Sequence, residues 1–167
     1  MTSHVVPAGP FDPPDVNWAP VSRKLASARL SMTAIVVGVP AVGGAVAALL
    51  SGIVWLWVIP GVFVALGLWA AWLIPRQVRA VGYAERADDL LIRKGIMFRS
   101  MVVVPYGRMQ YVDVQAGPLA RAFGIASVQL HTASPSSDAA IDGLTPVEAT
   151  RLRDKLASRG EARLAGL

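Results

Sequence analysis

Residues able to do chemistry are few in this chain of 167 residues. Cysteine is absent, which removes thiolate nucleophiles, disulfides and cysteine zinc sites. The histidines are His4 and His131, too few for a histidine metal cluster. No G-x-S-x-G turn surrounds a serine, so no nucleophile elbow is encoded. His131 therefore reads as an ordinary strand-face residue and His4 as a solvated one. Asp88 and Asp89 could pair as acids or hold a cation, yet adjacent aspartates between strand-like runs are turn formers. No G-x-x-x-x-G-K-[ST] phosphate loop occurs. The sequence predicts no catalytic residue, no metal ligand and no cofactor, and so a protein that is not an enzyme.

Charge is the remaining chemistry. Sixteen basic residues against eleven acidic ones give a net +5. Arg93, Lys94 and Arg99 gather around Gly95, a hairpin-turn residue, and are candidate contacts for anionic lipid headgroups. A Lys or Arg near an anionic membrane surface contributes about 1 kcal/mol. Nucleic acid is a poor partner, because aromatic residues are not interleaved with these basic ones.

Only 16% of residues are charged, against about 25% in ordinary soluble domains. Residues 31–74 carry no charge at all. A span needs about 20 apolar residues, so this block holds two, with Ser51-Gly52 as the turn. The spans are expected at about 31–50 and 53–74. A cleaved signal peptide would have a shorter apolar core and start nearer the first residue. Arg23, Lys24 and Arg29 precede the block, Arg76, Arg79 and Arg86 follow it, and the turn is neutral. The positive-inside rule then places both termini in the cytoplasm of a multi-pass protein of the inner or plasma membrane. Trp55 and Trp57 beside the turn, and Trp69 and Trp72 at the other end, read as two interfacial belts, with Trp18 a further anchor. Small residues recur at four-residue spacing, as in Ala34/Gly38, Gly43/Ala47 and Gly67/Ala71. Ser31, Thr33 and Ser51 are the block's only polar side chains, so an ion path is not encoded. Pro40 and Pro60 are expected kinks.

Around this block lie a proline-rich flexible arm over 1–17, an interfacial segment over 18–30 with Ser22 capping a short helix, and a folded domain over 76–162. The last reads as strands Val78–Ala84, Leu90–Lys94, Phe98–Val104, Met109–Gln115, Ala126–Thr132 and Ala139–Ile141, with a short turn or helix at Leu119–Phe123. Pro135-Ser136-Ser137 reads as a loop. Thr145-Pro146-Val147-Glu148 is a capping box, Ala149, Leu152 and Leu156 form one helical stripe, and Gly160 is the expected stop. Met101 and Val103 are apolar where a solvated strand shows polar residues. They are a candidate partner interface, and the competing reading buries both in the domain's own core.

The run from Asp89, Leu90 and Ile92 through Gly95, Val104-Pro105-Tyr106 and Val112-Asp113-Val114 resembles the bacterial pleckstrin-homology (PH) domains of the second type, the YdbS-like membrane proteins. Gly117-Pro118-Leu119, Phe123-Gly124, Val128, Thr132-Ala133-Ser134 and Gly143-Leu144 continue the resemblance, which covers roughly 18–160, double span included. It implies an α+β membrane protein: a two-helix transmembrane hairpin, then a PH-like β-barrel with a C-terminal capping helix. It implies no chemistry. The expected role is a non-enzymatic scaffold or regulatory subunit of a membrane complex in envelope homeostasis, partnered by membrane lipids and by a larger PH-domain relative or further copies of itself. The alternative is a sensor of anionic headgroups.

Overall fold

The computed structural model describes residues 16–133 and 138–164. The arm over 1–15 with His4, and the expected loop at Pro135-Ser136-Ser137, lie outside the described residues.

Two long helices form the hairpin. Helix α1, Lys24–Ser51, starts where the Lys24 N–H donates to Ser22 Oγ at 3.3 Å. It ends at Gly52, whose φ of 67° suits a residue without a Cβ and whose N–H reaches the Ala48 carbonyl at 3.2 Å. A 3₁₀ turn, Val54–Trp57, leads into α2, Val58–Arg79. Both segments are long and apolar enough to cross a membrane. Their side chains face outward, with Leu50 84% and Trp55 83% exposed, as lipid-facing residues are. The uncharged stretch thus marks the apolar zone and not the helix ends, because Lys24 and Arg29 are good helix formers. The short interfacial helix is the first turn of α1 itself. Pro40 lies inside α1, whereas Pro60 occupies the first turn of α2, where its missing N–H removes no intrahelical bond. The two helices approach closely at Gly44, where a Cβ would come within 2.9 Å of Ile59, and at Gly67 beside Val37. Gly38, Gly43 and Gly61 have open space instead.

Strands β1 (Ala19–Pro20), β2 (Gly82–Glu85), β3 (Asp89–Lys94) and β4 (Ser100–Pro105) make one antiparallel sheet in that order. Strands β5 (Met109–Gln115), β6 (Ala126–Thr132) and β7 (Ala139–Leu144) make another. Helix α3, Pro118–Ala122, links β5 to β6, and α4, Pro146–Leu164, closes the fold. Alternation sends Tyr83, Leu90, Ile92 and Val104 inward from the first sheet, to meet Val128, Leu130 and Ile141 of the second. Ala149, Leu152 and Leu156 of α4 are fully buried against them. The Glu148 N–H donates to Thr145 Oγ1 at 3.3 Å, one half of the expected capping box.

Several boundaries differ from expectation. Val78 belongs to α2 and is buried in the core, so β2 starts only at Gly82. Gly95 takes a φ of 94°, which opens a loop through Arg99 and delays β4 to Ser100. Gly160 does not end α4; it is buried near the Tyr106 carbonyl inside a continuous helix. The core also recruits Val21, Leu25 and Ala28 from before the spans. Leu25 packs on Gly143, where a Cβ would come within 2.7 Å, and the Ser22 N–H donates to the Gly143 carbonyl at 2.8 Å.

Candidate functional site

The β3–β4 hairpin is built by one glycine. At Gly95 a side chain would collide with the Phe98 carbonyl, and the left-handed φ is open to glycine at no steric cost. The last ladder pair is Lys94 with Ser100, leaving Gly95–Arg99 as the tip. A cleft of about 270 Å³ opens here, bordered by Ala80, Arg93, Lys94, Arg99 and Ser100, with no carboxylate in its lining among the described residues. The structure therefore brings the three candidate headgroup residues together. The Arg93 guanidinium lies 4.4 Å from the Trp18 ring centroid. Trp18 thus sits beside β2 and Arg93, because the pairing of β1 with β2 carries it there.

A second cleft of about 300 Å³ lies between the hairpin tip and the feet of the spans. Leu25 and Arg29 of α1, Leu73 and Gln77 of α2, and Ile96, Met97 and Phe98 border it. Arg29 reaches Asp142 across it at 3.6 Å. Near this level the Arg76 guanidinium stacks 3.7 Å over Trp72. Trp55, Trp57, Trp69 and Trp72 are all exposed on the spans.

Met101 pairs with Arg93 and Val103 with Leu91, on the face opposite Ile92 and Val104. Val103 is 43% exposed and neither residue joins the core cluster. On that same face Leu91 is buried and Met101 half-buried.

Other candidates have structural work. His131 stacks on Tyr111 at 4.3 Å, and its Nδ1 lies 3.3 Å from Asp138. The Thr132 N–H donates to the Asp138 carboxylate at 2.8 Å, and this backbone bond is the main reason the carboxyl is held below its ordinary pKa. Around Asp88-Asp89, the Arg86 N–H bonds the Asp89 carbonyl and the Tyr106 N–H the Asp88 carbonyl, as in a structural turn. Among the described residues no His, Asp and Glu cluster could hold a metal.

A polar lock that sequence reasoning did not find joins β2 to α4. Arg151 reaches Glu85 at 2.6 Å and Glu148 at 2.7 Å, and Lys155 reaches Glu85 at 2.7 Å. The Tyr83 hydroxyl donates to Glu148 at 2.5 Å. Burial works to raise the Glu85 carboxyl, but hydrogen bonds from Lys155 and Arg151 outweigh it and hold the group low. Arg151 does the same for Glu148. Burial, with Glu148 next in weight, pushes the Tyr83 hydroxyl far up. The only advance signal was Glu148 at its capping position. The exposed tip Ile96-Met97-Phe98 was also missed, since Phe98 was read as strand.

A family model described as bacterial PH domain matches residues 21–160. The chain belongs to that family. The match includes both membrane helices, in keeping with the packing of Leu25 on Gly143. The UPF0699 transmembrane protein YdbS of Bacillus subtilis (strain 168) is 35% identical over 74 residues, 44% of this chain and 45% of that protein. The aligned part therefore spans about half the length of that relative. No solved structure gives a significant match. The chain is a membrane protein with a bacterial PH domain similar to YdbS.

Proposed function

We propose that this protein is a non-enzymatic, membrane-anchored PH domain that reads the anionic headgroups of the leaflet beside it. The observation that carries this reading is the cleft bordered by Arg93, Lys94 and Arg99, all of one charge sign, next to Ala80 at the end of the second span. Lys94 and Arg99 form no salt bridge among the described residues, so both present donors to a phosphate. Each contributes about 1 kcal/mol at an anionic surface. The basic flanks of the spans support placing both termini and the PH domain in the cytoplasm, where anionic lipid faces them. The test is lipid retention by the full chain after extraction in mild detergent, quantified by mass spectrometry. Lys94→Glu with Arg99→Glu is expected to deplete retained phosphatidylglycerol relative to phosphatidylcholine. Equal retention in wild type and variant refutes the reading. Single cysteines at Gly52 and Ser158 test orientation: only Gly52 should be labelled in intact cells.

A second reading, a scaffold in a membrane complex concerned with envelope homeostasis, is favoured by the exposed Val103 with Met101 on the outward face of β4. A larger PH-domain relative or a second copy would pair there. Substituting both residues with Lys should abolish co-purification of a partner and leave the domain folded.

A further inference from the structure

We infer that the β3–β4 tip, Ile96-Met97-Phe98, is an apolar wedge inserted into the bilayer at the foot of the spans. The inference builds on the headgroup reading of the same hairpin, and the experiment below separates the two. Three consecutive large apolar residues stand at the tip, with Met97 83% and Phe98 86% exposed. A loop tip in water gains nothing from such residues, and contiguous exposed apolar surface marks a partner or a membrane.

Position selects the membrane. The tip borders the same cleft as Leu73 and Gln77 of α2. Leu73 and Ile74 end the uncharged stretch, and Arg76 follows, folded back over Trp72. Tryptophan rings concentrate at the boundary between acyl chains and headgroups, where arginine stems lie along apolar surface with the charge in water. The tip therefore stands at the depth where the span leaves the hydrocarbon. Chemistry is layered in the same order. Met97 and Phe98 lie outermost, and Lys94 and Arg99 sit at the neck of the loop. With the tip among acyl chains, those cations fall in the headgroup layer, as in an interfacial element buried about 5–10 Å deep. Gly95 fixes the wedge, because its φ of 94° lets the loop turn back tightly on Phe98. The PH domain is thus held to the bilayer at a third point besides the two helices.

The natural absence of cysteine permits a direct test on the full chain. Met97→Cys, Phe98→Cys and, as a control on α4, Ser158→Cys are each labelled with the same environment-sensitive fluorophore. The proteins are reconstituted into phosphatidylcholine vesicles with and without phosphatidylglycerol. At 97 and 98 the emission should shift to the blue. Aqueous iodide should quench several-fold less than at 158, and nitroxides near the headgroup end of the acyl chain should quench strongly. Phe98→Ser should reduce protection of a label at 97. Iodide access at 97 and 98 equal to that at 158 overturns the wedge. Protection without nitroxide quenching also overturns it, and points to a protein on the tip. Insertion in both lipid mixtures, unaltered by Lys94→Glu with Arg99→Glu, upholds the wedge while the headgroup reading fails. Exposed labels together with phosphatidylglycerol depletion in that charge variant overturn the wedge while the headgroup reading stands.

Discussion

In the lock between β2 and α4, Arg151 and Lys155 meet Glu85 and Glu148 at 2.6 to 2.7 Å, whereas at the β3–β4 hairpin Lys94 and Arg99 border a cleft that no carboxylate of the described residues lines. The two clusters lie toward opposite ends of β3, one away from the spans and one at their feet. Similar side chains thus sit in opposite surroundings. In the lock, opposite charges satisfy each other across elements far apart in sequence, and the gain is a fixed helix. At the hairpin like charges converge, which costs repulsion unless an anion from outside relieves it. Cations neutralised within the chain hold the fold, and on the proposed headgroup reading the hairpin's cations serve an anion from outside.

The contrast can be broken most severely from the lock side. Leu156 is fully buried on the same helix, and Leu156→Ala should destabilise the full chain in detergent by about 2–5 kcal/mol, measured by denaturant unfolding. Arg151→Ala leaves Glu85 and Glu148 without their shared partner and should cost about 1–3 kcal/mol in the same assay. A loss as small as that of an arbitrary surface substitution would mean that the lock is decorative. Acid should sharpen the same point. Glu85 and Glu148 are both held below 4.5, so the lock stabilises fully above that value and fails as pH falls through the lowered folded-state values. The melting temperature of wild type should drop across this acid range, and that of Arg151→Ala should drop less. At the hairpin, Lys94→Ala and Arg99→Ala should change stability by no more than about 0.5 kcal/mol while weakening retention of anionic lipid. A large stability loss there would erase the distinction between the clusters.

Much of the architecture was legible because it depends on local pattern. The uncharged stretch over 31–74 announced two spans, alternation in Met109–Gln115 announced a strand, and Thr145 with Glu148 announced the start of α4. Helix ends were misplaced wherever polarity or a glycine was taken for a boundary. Lys24 continues the helix below the apolar zone, and Gly160 stays helical because α4 packs it near the Tyr106 carbonyl. The cationic cleft was visible as Arg93, Lys94 and Arg99 around a turn glycine. Its neighbours were not, since Trp18 and Arg93 meet through the pairing of β1 with β2. Glu85 and Arg151 are 66 residues apart, and no periodicity relates them. Phe98 was misread because β-propensity cannot register how far the loop opened by Gly95 runs before β4 begins at Ser100.

The seating of Leu25 on Gly143 has a mechanical side. Helix α1, 28 residues or about 42 Å long at 1.5 Å per residue, runs without interruption through that contact to Ser51. Its lower turn is embedded in the PH core, so no hinge separates the span from the domain. A bilayer that thins or thickens changes the inclination of a helix crossing it. Here inclination and domain orientation are one variable: the span is a lever arm, and the domain turns with it.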